Sequence, residues 1–144
     1  MKKILIIGFI IILIGSGCKK ESPANQSPLL KTEWILSFIQ NTKSHSTTYF
    51  PVDAPRKIKI VFTDSLNVFS FTGICNGGGG TYSYSSSTGA VSITNLSCTK
   101  IACKYDEWEG YTIQNLDSAF SYKINGVNLI INSNGGYNLY FTQN

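Results

Sequence analysis

The sequence predicts a mainly β domain, an antiparallel, barrel-like sheet of about eight short strands with one amphipathic helix. Three observations point there. Most of the chain after residue 30 alternates apolar and polar residues with period two, the pattern of half-buried strands. Turn-forming clusters such as Ser85 to Gly89, Asn125-Gly126 and Asn134-Gly135-Gly136 separate the alternating runs. A single stretch, Tyr105 to Ala119, switches to steps of three and four. Strands in this number, joined mostly by hairpins, close into a barrel whose interior is filled by side chains or holds one small ligand.

The N-terminus stands apart from that domain. Lys2 and Lys3 precede an apolar run from Ile4 to Ile14, and the small residues Gly15, Ser16 and Gly17 lead to Cys18. This is the pattern of a signal peptide, residues 1–17, and the run falls short of the about 20 apolar residues that a membrane span needs. A cysteine directly after small residues matches a bacterial lipoprotein cleavage site, with Gly15 standing where such sites usually have leucine. Cys18 is the expected lipidated N-terminus. Residues 18–29, with Ser22 to Pro28 free of large apolar residues, are expected to form a flexible tether. The domain is expected over 30–144. The implied location is the bacterial cell envelope, anchored through acyl chains on Cys18, with the outer membrane as the expected membrane partner.

Removing residues 1–17 takes away two of the twelve basic residues and none of the eight acidic ones, which leaves a net charge of +2. Lys57, Lys59, Lys100, Lys104 and Lys123 are scattered rather than striped, so nucleic acid is not an expected partner.

Taken in order, Trp34, Leu36 and Phe38 alternate with Ile35, Ser37 and Ile39 in a first strand. Asn41 to Pro55 is polar, contains Pro51, Pro55 and the single histidine, His45, and reads as a loop. Ile58, Ile60 and Phe62 mark a second strand; Phe69 and Phe71 mark a third. Gly77 to Gly80 permit positive φ and close backbone approach, and are expected to make a tight turn. Tyr82 and Tyr84, then Val91 and Ile93, continue the alternation. In the helical stretch Tyr105, Trp108, Thr112, Leu116 and Ala119 share a face, so Trp108 is expected to be buried. Asp106 with Glu109 three residues on suggests a capping box, and Gly110 weakens the helix by about 1 kcal/mol relative to alanine. Phe120, Tyr122 and Ile124, then Leu129 and Ile131, then Leu139 and Phe141 form the closing strands.

Candidate chemistry is sparse. A serine or cysteine triad needs a histidine base, and His45 sits in a polar loop. Cys75, Cys98, Cys103 and His45 have the side chains of a zinc site, but an exported chain meets an oxidising compartment that favours disulfides. Asp106, Glu107 and Glu109 fall in the first turn of a helix, where the dipole favours negative charge without any catalytic role. The glycine run has no following G-K-[ST], so it is not a phosphate loop. No catalytic residue, metal or cofactor is therefore expected. Tyr82, Tyr84, Tyr137 and Tyr140 are candidate ligand-facing aromatics, although tyrosine also suits half-buried strands. Once Cys18 is set aside, three thiols permit three alternative single bridges.

Several spaced motifs together resemble the META/HslJ-like domain. Cys75, Asn76, Gly80 and Tyr82 form C-N-x-x-x-G-x-Y; Thr99 to Cys103 form T-x-x-A-C; Glu109 precedes Leu116 by seven; Y-x-I at Tyr122, L-x-I at Leu129 and L-x-F at Leu139 follow in order. Ile74 replaces the usual glycine before the cysteine, and Ile101 replaces a methionine. The resemblance covers roughly Leu30 to Gln143. It implies a barrel-like fold with one helix in envelope lipoproteins, some linked to heat shock and novobiocin resistance, with no established enzymatic activity. It also places Cys75 and Cys103 in the paired motifs, implying a disulfide between them with Cys98 left over. The expected function is a lipid-anchored, non-enzymatic envelope protein acting as a stress-related or binding accessory module. Its partner would be an envelope protein, a glycan or a small apolar ligand. The alternatives are a barrel that binds a small apolar ligand or glycan, and an envelope enzyme.

Overall fold

The computed structural model describes residues 28–144. The expected signal peptide, Cys18 and the expected tether up to residue 27 lie outside the described residues. The chain forms β1 (Glu33–Asn41), β2 (Thr47–Tyr49), β3 (Lys59–Phe62), β4 (Val68–Thr72), β5 (Gly77–Tyr84), β6 (Val91–Cys98), α1 (Asp106–Asp117), β7 (Ala119–Asn125), β8 (Asn128–Ser133) and β9 (Tyr137–Gln143).

Among the described residues these strands pair antiparallel, eight of them in the order β6-β5-β4-β3-β1-β9-β8-β7 with β2 added beside β1, while an isolated parallel bridge joins Leu30 to Phe62. The two ends of this sheet meet at a narrow seam. Ala90 bridges Ser121, and Tyr122 N–H donates to the Gly89 carbonyl at 2.7 Å. The result is a nearly closed barrel, and α1 is the crossover between its two edge strands, β6 and β7.

The period-two pattern sends one face of each strand inward. Trp34, Phe62, Phe69, Phe141, Ile60, Leu129 and Leu139 are among the fully buried side chains that fill the interior. Leu29 is also fully buried, and its carbonyl accepts the Trp34 indole N–H at 3.2 Å, so residue 29 is packed with the domain.

Several expectations need correction. The loop Asn41–Pro55 contains β2, whose three residues are all exposed and therefore have no burial pattern to read. In β1 a register shift between Leu36 and Phe38 turns Ile39 inward, where it is 2% exposed, and leaves Phe38 half-buried on the outer surface. Simple alternation from Trp34 cannot anticipate such a bulge. The hairpin loop between β7 and β8 is Gly126-Val127, with Asn125 and Asn128 paired across it and Gly126 at φ +58°.

The glycine run is strand, not turn: Gly77 to Gly80 pair with β4 on one side, and Gly78 and Gly79 with β6 on the other. The reason is space. A Cβ on Gly78 would stand 2.0 Å from the Ser97 carbonyl oxygen, and one on Gly79 would stand 2.4 Å from the Phe69 carbonyl oxygen. The glycines let three strands pack where β5 has no room for side chains, while a bulge between Gly79 and Thr81 adjusts the register.

Two alanine substitutions separate these settings. Gly78→Ala should destabilise the domain by about 1–3 kcal/mol through overpacking. Gly110→Ala, at an exposed helical position where an added Cβ meets nothing within 4 Å, should stabilise it by about 1 kcal/mol. Urea denaturation of both variants checks this, and a Gly78→Ala protein as stable as wild type would show that β5 is not confined as described.

Candidate functional site

The segment between β4 and β5 folds around one side chain supplied by α1. Gly73 N–H donates to the Asn76 carbonyl at 2.7 Å, closing a tight turn. Glu109 projects into it. Its Oε1 accepts the backbone N–H of Cys75 at 2.6 Å and of Asn76 at 3.1 Å, and its Oε2 accepts Nδ2 of Asn76 at 2.6 Å. Glu109 is 2% exposed. A carboxylate removed from water needs such hydrogen bonds, and neighbouring N–H groups of a turn form a concave set of donors suited to it. Gly73 is required here, because a Cβ would lie 2.4 Å from Glu109 Oε1.

Asn76 extends the network away from the helix. Its Oδ1 accepts Ile101 N–H at 2.7 Å and the Thr99 hydroxyl at 2.9 Å, while Nδ2 also donates to the Ile101 carbonyl at 3.0 Å. Cys75 is joined to Cys103 by a disulfide with Cα atoms 6.5 Å apart. This covalent tie fastens the same turn to the approach of α1. Closing its 28-residue separation is worth roughly 3–4 kcal/mol on a chain-entropy basis. Cys98, the free cysteine among the described residues, is half-buried and pairs with Gly78 in the β5–β6 register.

The expected capping box is not formed. Tyr105, not Asp106, is the N-cap residue and makes no side-chain cap bond, and Glu109 is engaged by the turn instead. The helix face that enters the barrel end is largely polar: Glu109, Thr112, Asn115 and Leu116 are buried. Asn115 Oδ1 lies 2.6 Å from the Ser133 hydroxyl and accepts Tyr137 N–H at 2.9 Å, which fixes the far end of α1 to β8 and β9. Trp108, expected in the core, is half-buried and meets Phe50 edge-on with ring centroids 5.4 Å apart. The Glu107 carboxylate accepts the Tyr111 hydroxyl and pushes that phenol up to about 12.

The four candidate tyrosines do not share a face. Tyr82 is 4% exposed inside the barrel, its hydroxyl donates to the Thr63 carbonyl at 2.6 Å, and burial pushes its phenol up. Tyr84 packs edge-on to Tyr122 at the seam, and Tyr137 packs against Tyr111 of the helix. Tyr140 alone lies on the outer surface of β9, where its ring stacks on Phe38 at 4.3 Å and 17°. Its hydroxyl donates to Gln40 Oε1 at 3.0 Å. Beside this pair is a groove of about 320 Å³, lined by Ser37, Phe38, Asn125, Asn128, Ile130, Tyr140, Phe141 and Thr142. Of these, only Tyr140 was a sequence candidate, because Phe38 reads as inward until the bulge is known. His45 is exposed in the β1–β2 turn at φ +57°. No group of three or more metal-binding side chains comes together among the described residues.

These features define a class, a small and nearly closed antiparallel barrel with one end plugged by a helix. The pattern of the META domain matches residues 27–144, and the chain belongs to that family. Two solved structures share the fold. One, determined by NMR for a protein from Burkholderia xenovorans, has a TM-score of 0.66 and 21% identity over 81% of this chain and 83% of that one. The other, a crystal structure of a DUF4847 family protein from Bacteroides vulgatus, has a TM-score of 0.63 and 15% identity over 81% of this chain and 95% of that one. No curated protein matches the chain.

Glu109→Ala removes the acceptor for three buried N–H donors and should cost about 3 kcal/mol or more. Glu109→Gln keeps one acceptor oxygen but turns an amide NH2 towards another donor, and should cost about 1–2 kcal/mol. Thermal melts of the two variants test the order; equal stability of wild type and Glu109→Ala would show that the buried carboxylate has no structural role.

Proposed function

We propose that this chain is a lipid-anchored cell-envelope protein, held at the outer membrane through Cys18, whose META domain serves as a non-enzymatic stress-related or binding accessory module. The observation that carries the reading is the state of Glu109. It is the buried carboxylate among the described residues, and each of its oxygens is already held by backbone or Asn76 donors. A general acid or base must keep an oxygen free to reach a substrate proton; this one is structural. The interior is occupied by Trp34, Phe62, Phe69 and Phe141, so the domain offers its outer surface rather than an apolar lumen.

The anchoring part rests on the N-terminal sequence. Lys2 and Lys3, the apolar run, the small residues and Cys18 together make a lipoprotein signal. Leu29 is packed with the domain, so Cys18 lies at most about 40 Å of chain from it, which keeps the barrel near the membrane surface.

Cys18→Ser should leave the precursor unprocessed or release the domain from the membrane fraction, since acyl chains provide the attachment. Fractionation with mass measurement checks both outcomes. A processed Cys18→Ser protein that stays with the membrane would overturn the proposed anchor.

A further inference from the structure

The outer surface of β1, β9 and β8 has an organisation that the core does not require. Cross-strand partners on a sheet project to the same face. The register pairs Tyr49 with Phe38, Phe38 with Tyr140 and Tyr140 with Ile130, so these four side chains form one row across four strands. Phe38 and Tyr140 are stacked, and Tyr49, 73% exposed, stands 5.5 Å from Phe38. Two residues along the strands, about 7 Å away, runs a second row that is polar. It consists of Thr142, Asn128 and Asn125, with Thr142 paired to Asn128 and Asn128 to Asn125; on β1 the register partner of Thr142 is Ile35, and the bulge residue Ser37, one position from Phe38, brings its hydroxyl to 3.0 Å from that of Thr142. The groove of about 320 Å³ runs beside both rows, and every side chain lining it is uncharged. Lys123, opposite Ile130, sits at the end of the aromatic row and outside that lining.

We infer that this face binds an uncharged glycan, using the Phe38–Tyr140 stack as its platform and Ser37, Thr142, Asn128 and Asn125 as its hydrogen-bonding rim. The inference deepens the accessory-binding reading proposed above and rests on it. A pyranose ring has an apolar C–H face that packs on aromatic surface and a hydroxyl edge that needs partners able both to donate and to accept. Hydroxyls and carboxamides meet that need. Asn125 and Asn128 are exposed, and their carboxamides make no side-chain hydrogen bond within the described residues, so they are free to reach a ligand. The neutral lining selects against charged ligands, because a charge there would be desolvated without a partner. The volume lies at the low end of small-molecule sites and admits roughly one or two sugar rings.

The test uses the full chain, isotope-labelled and held in a detergent with no sugar headgroup, titrated with chitotetraose, cellotetraose and maltotetraose. With at least one of them, amide shifts should change at Phe38, Tyr140, Ile130 and Asn128, with an affinity that does not depend on salt. Tyr140→Ala should weaken binding by about tenfold or more, as loss of a central aromatic contact does. Tyr84→Ala, at the seam, should leave it unchanged. Should Tyr140→Ala fail to fold, Asn128→Asp places a charge in the neutral groove and should weaken binding by a similar factor. Shifts that map elsewhere, a strong salt dependence, silence with all three glycans, or self-association through this face would each overturn the inference. Silence with a membrane-bound wild-type protein removes the glycan site and leaves the anchored module standing; glycan binding by a protein whose Cys18→Ser form is processed yet still membrane-bound does the reverse.

Discussion

The hydrogen bonds from Cys75, Asn76 and the Asn76 side chain to Glu109 are the contact on which the rest of the structure depends. Three chain segments meet there: the turn after β4, the Thr99–Ile101 stretch after β6, and the first turn of α1. None of them satisfies all of its own polar groups. The turn has N–H donors pointing inward, the helix has a carboxylate that would otherwise be buried alone, and the stretch after β6 borrows both a donor and an acceptor from Asn76. Buried polar groups of this kind hold a unique arrangement only when every partner is present. The Cys75–Cys103 disulfide reinforces the same junction, so a small domain secures its helix by a covalent and a polar tie as well as by Leu116.

The junction also explains the barrel's asymmetry. At the helix end, Glu109 and Asn115 replace the apolar contacts that usually seat a helix on a sheet, and β5 is stripped to glycine so that β4 and β6 can approach. At the other end of β8 and β9 no helix of the described residues intrudes, and the outer surface carries the row of aromatic side chains beside the groove. One inserted residue in β1 produces that row by turning Phe38 outward and Ile39 inward. Packing and surface chemistry are thus linked through a single bulge.

Much of this was legible in the residues. Alternation of Ile58, Ile60 and Phe62, of Phe69 and Phe71, and of Leu139 and Phe141 reports inward faces directly, because a sheet with one buried face must alternate. The helix was legible from its change of period. Its buried face was not: hydropathy sends Glu109 and Asn115 to solvent, and the donors to the Glu109 carboxylate and to Asn115 Oδ1 lie 18 or more residues away in sequence. The glycine run reads locally as a turn, while the reason for its glycines is the approach of two neighbouring strands. Trp108 shares its helical spacing with Leu116, yet it stops at the edge of the core, half-buried against Phe50, while Glu109, Thr112, Asn115 and Leu116 enter the barrel end. Of the groove, Tyr140 was visible and Phe38 was hidden by the bulge.

The most direct measurement of the central contact is native-state hydrogen exchange at the amides of Cys75 and Asn76, with the disulfide intact and after its reduction. If the Glu109 carboxylate holds the turn, both amides exchange only by global unfolding, and they keep that status in the reduced protein even as overall stability falls. Exchange of these two amides by local opening, with the rest of β4 and β5 still protected, would contradict the account and assign the junction to the disulfide alone.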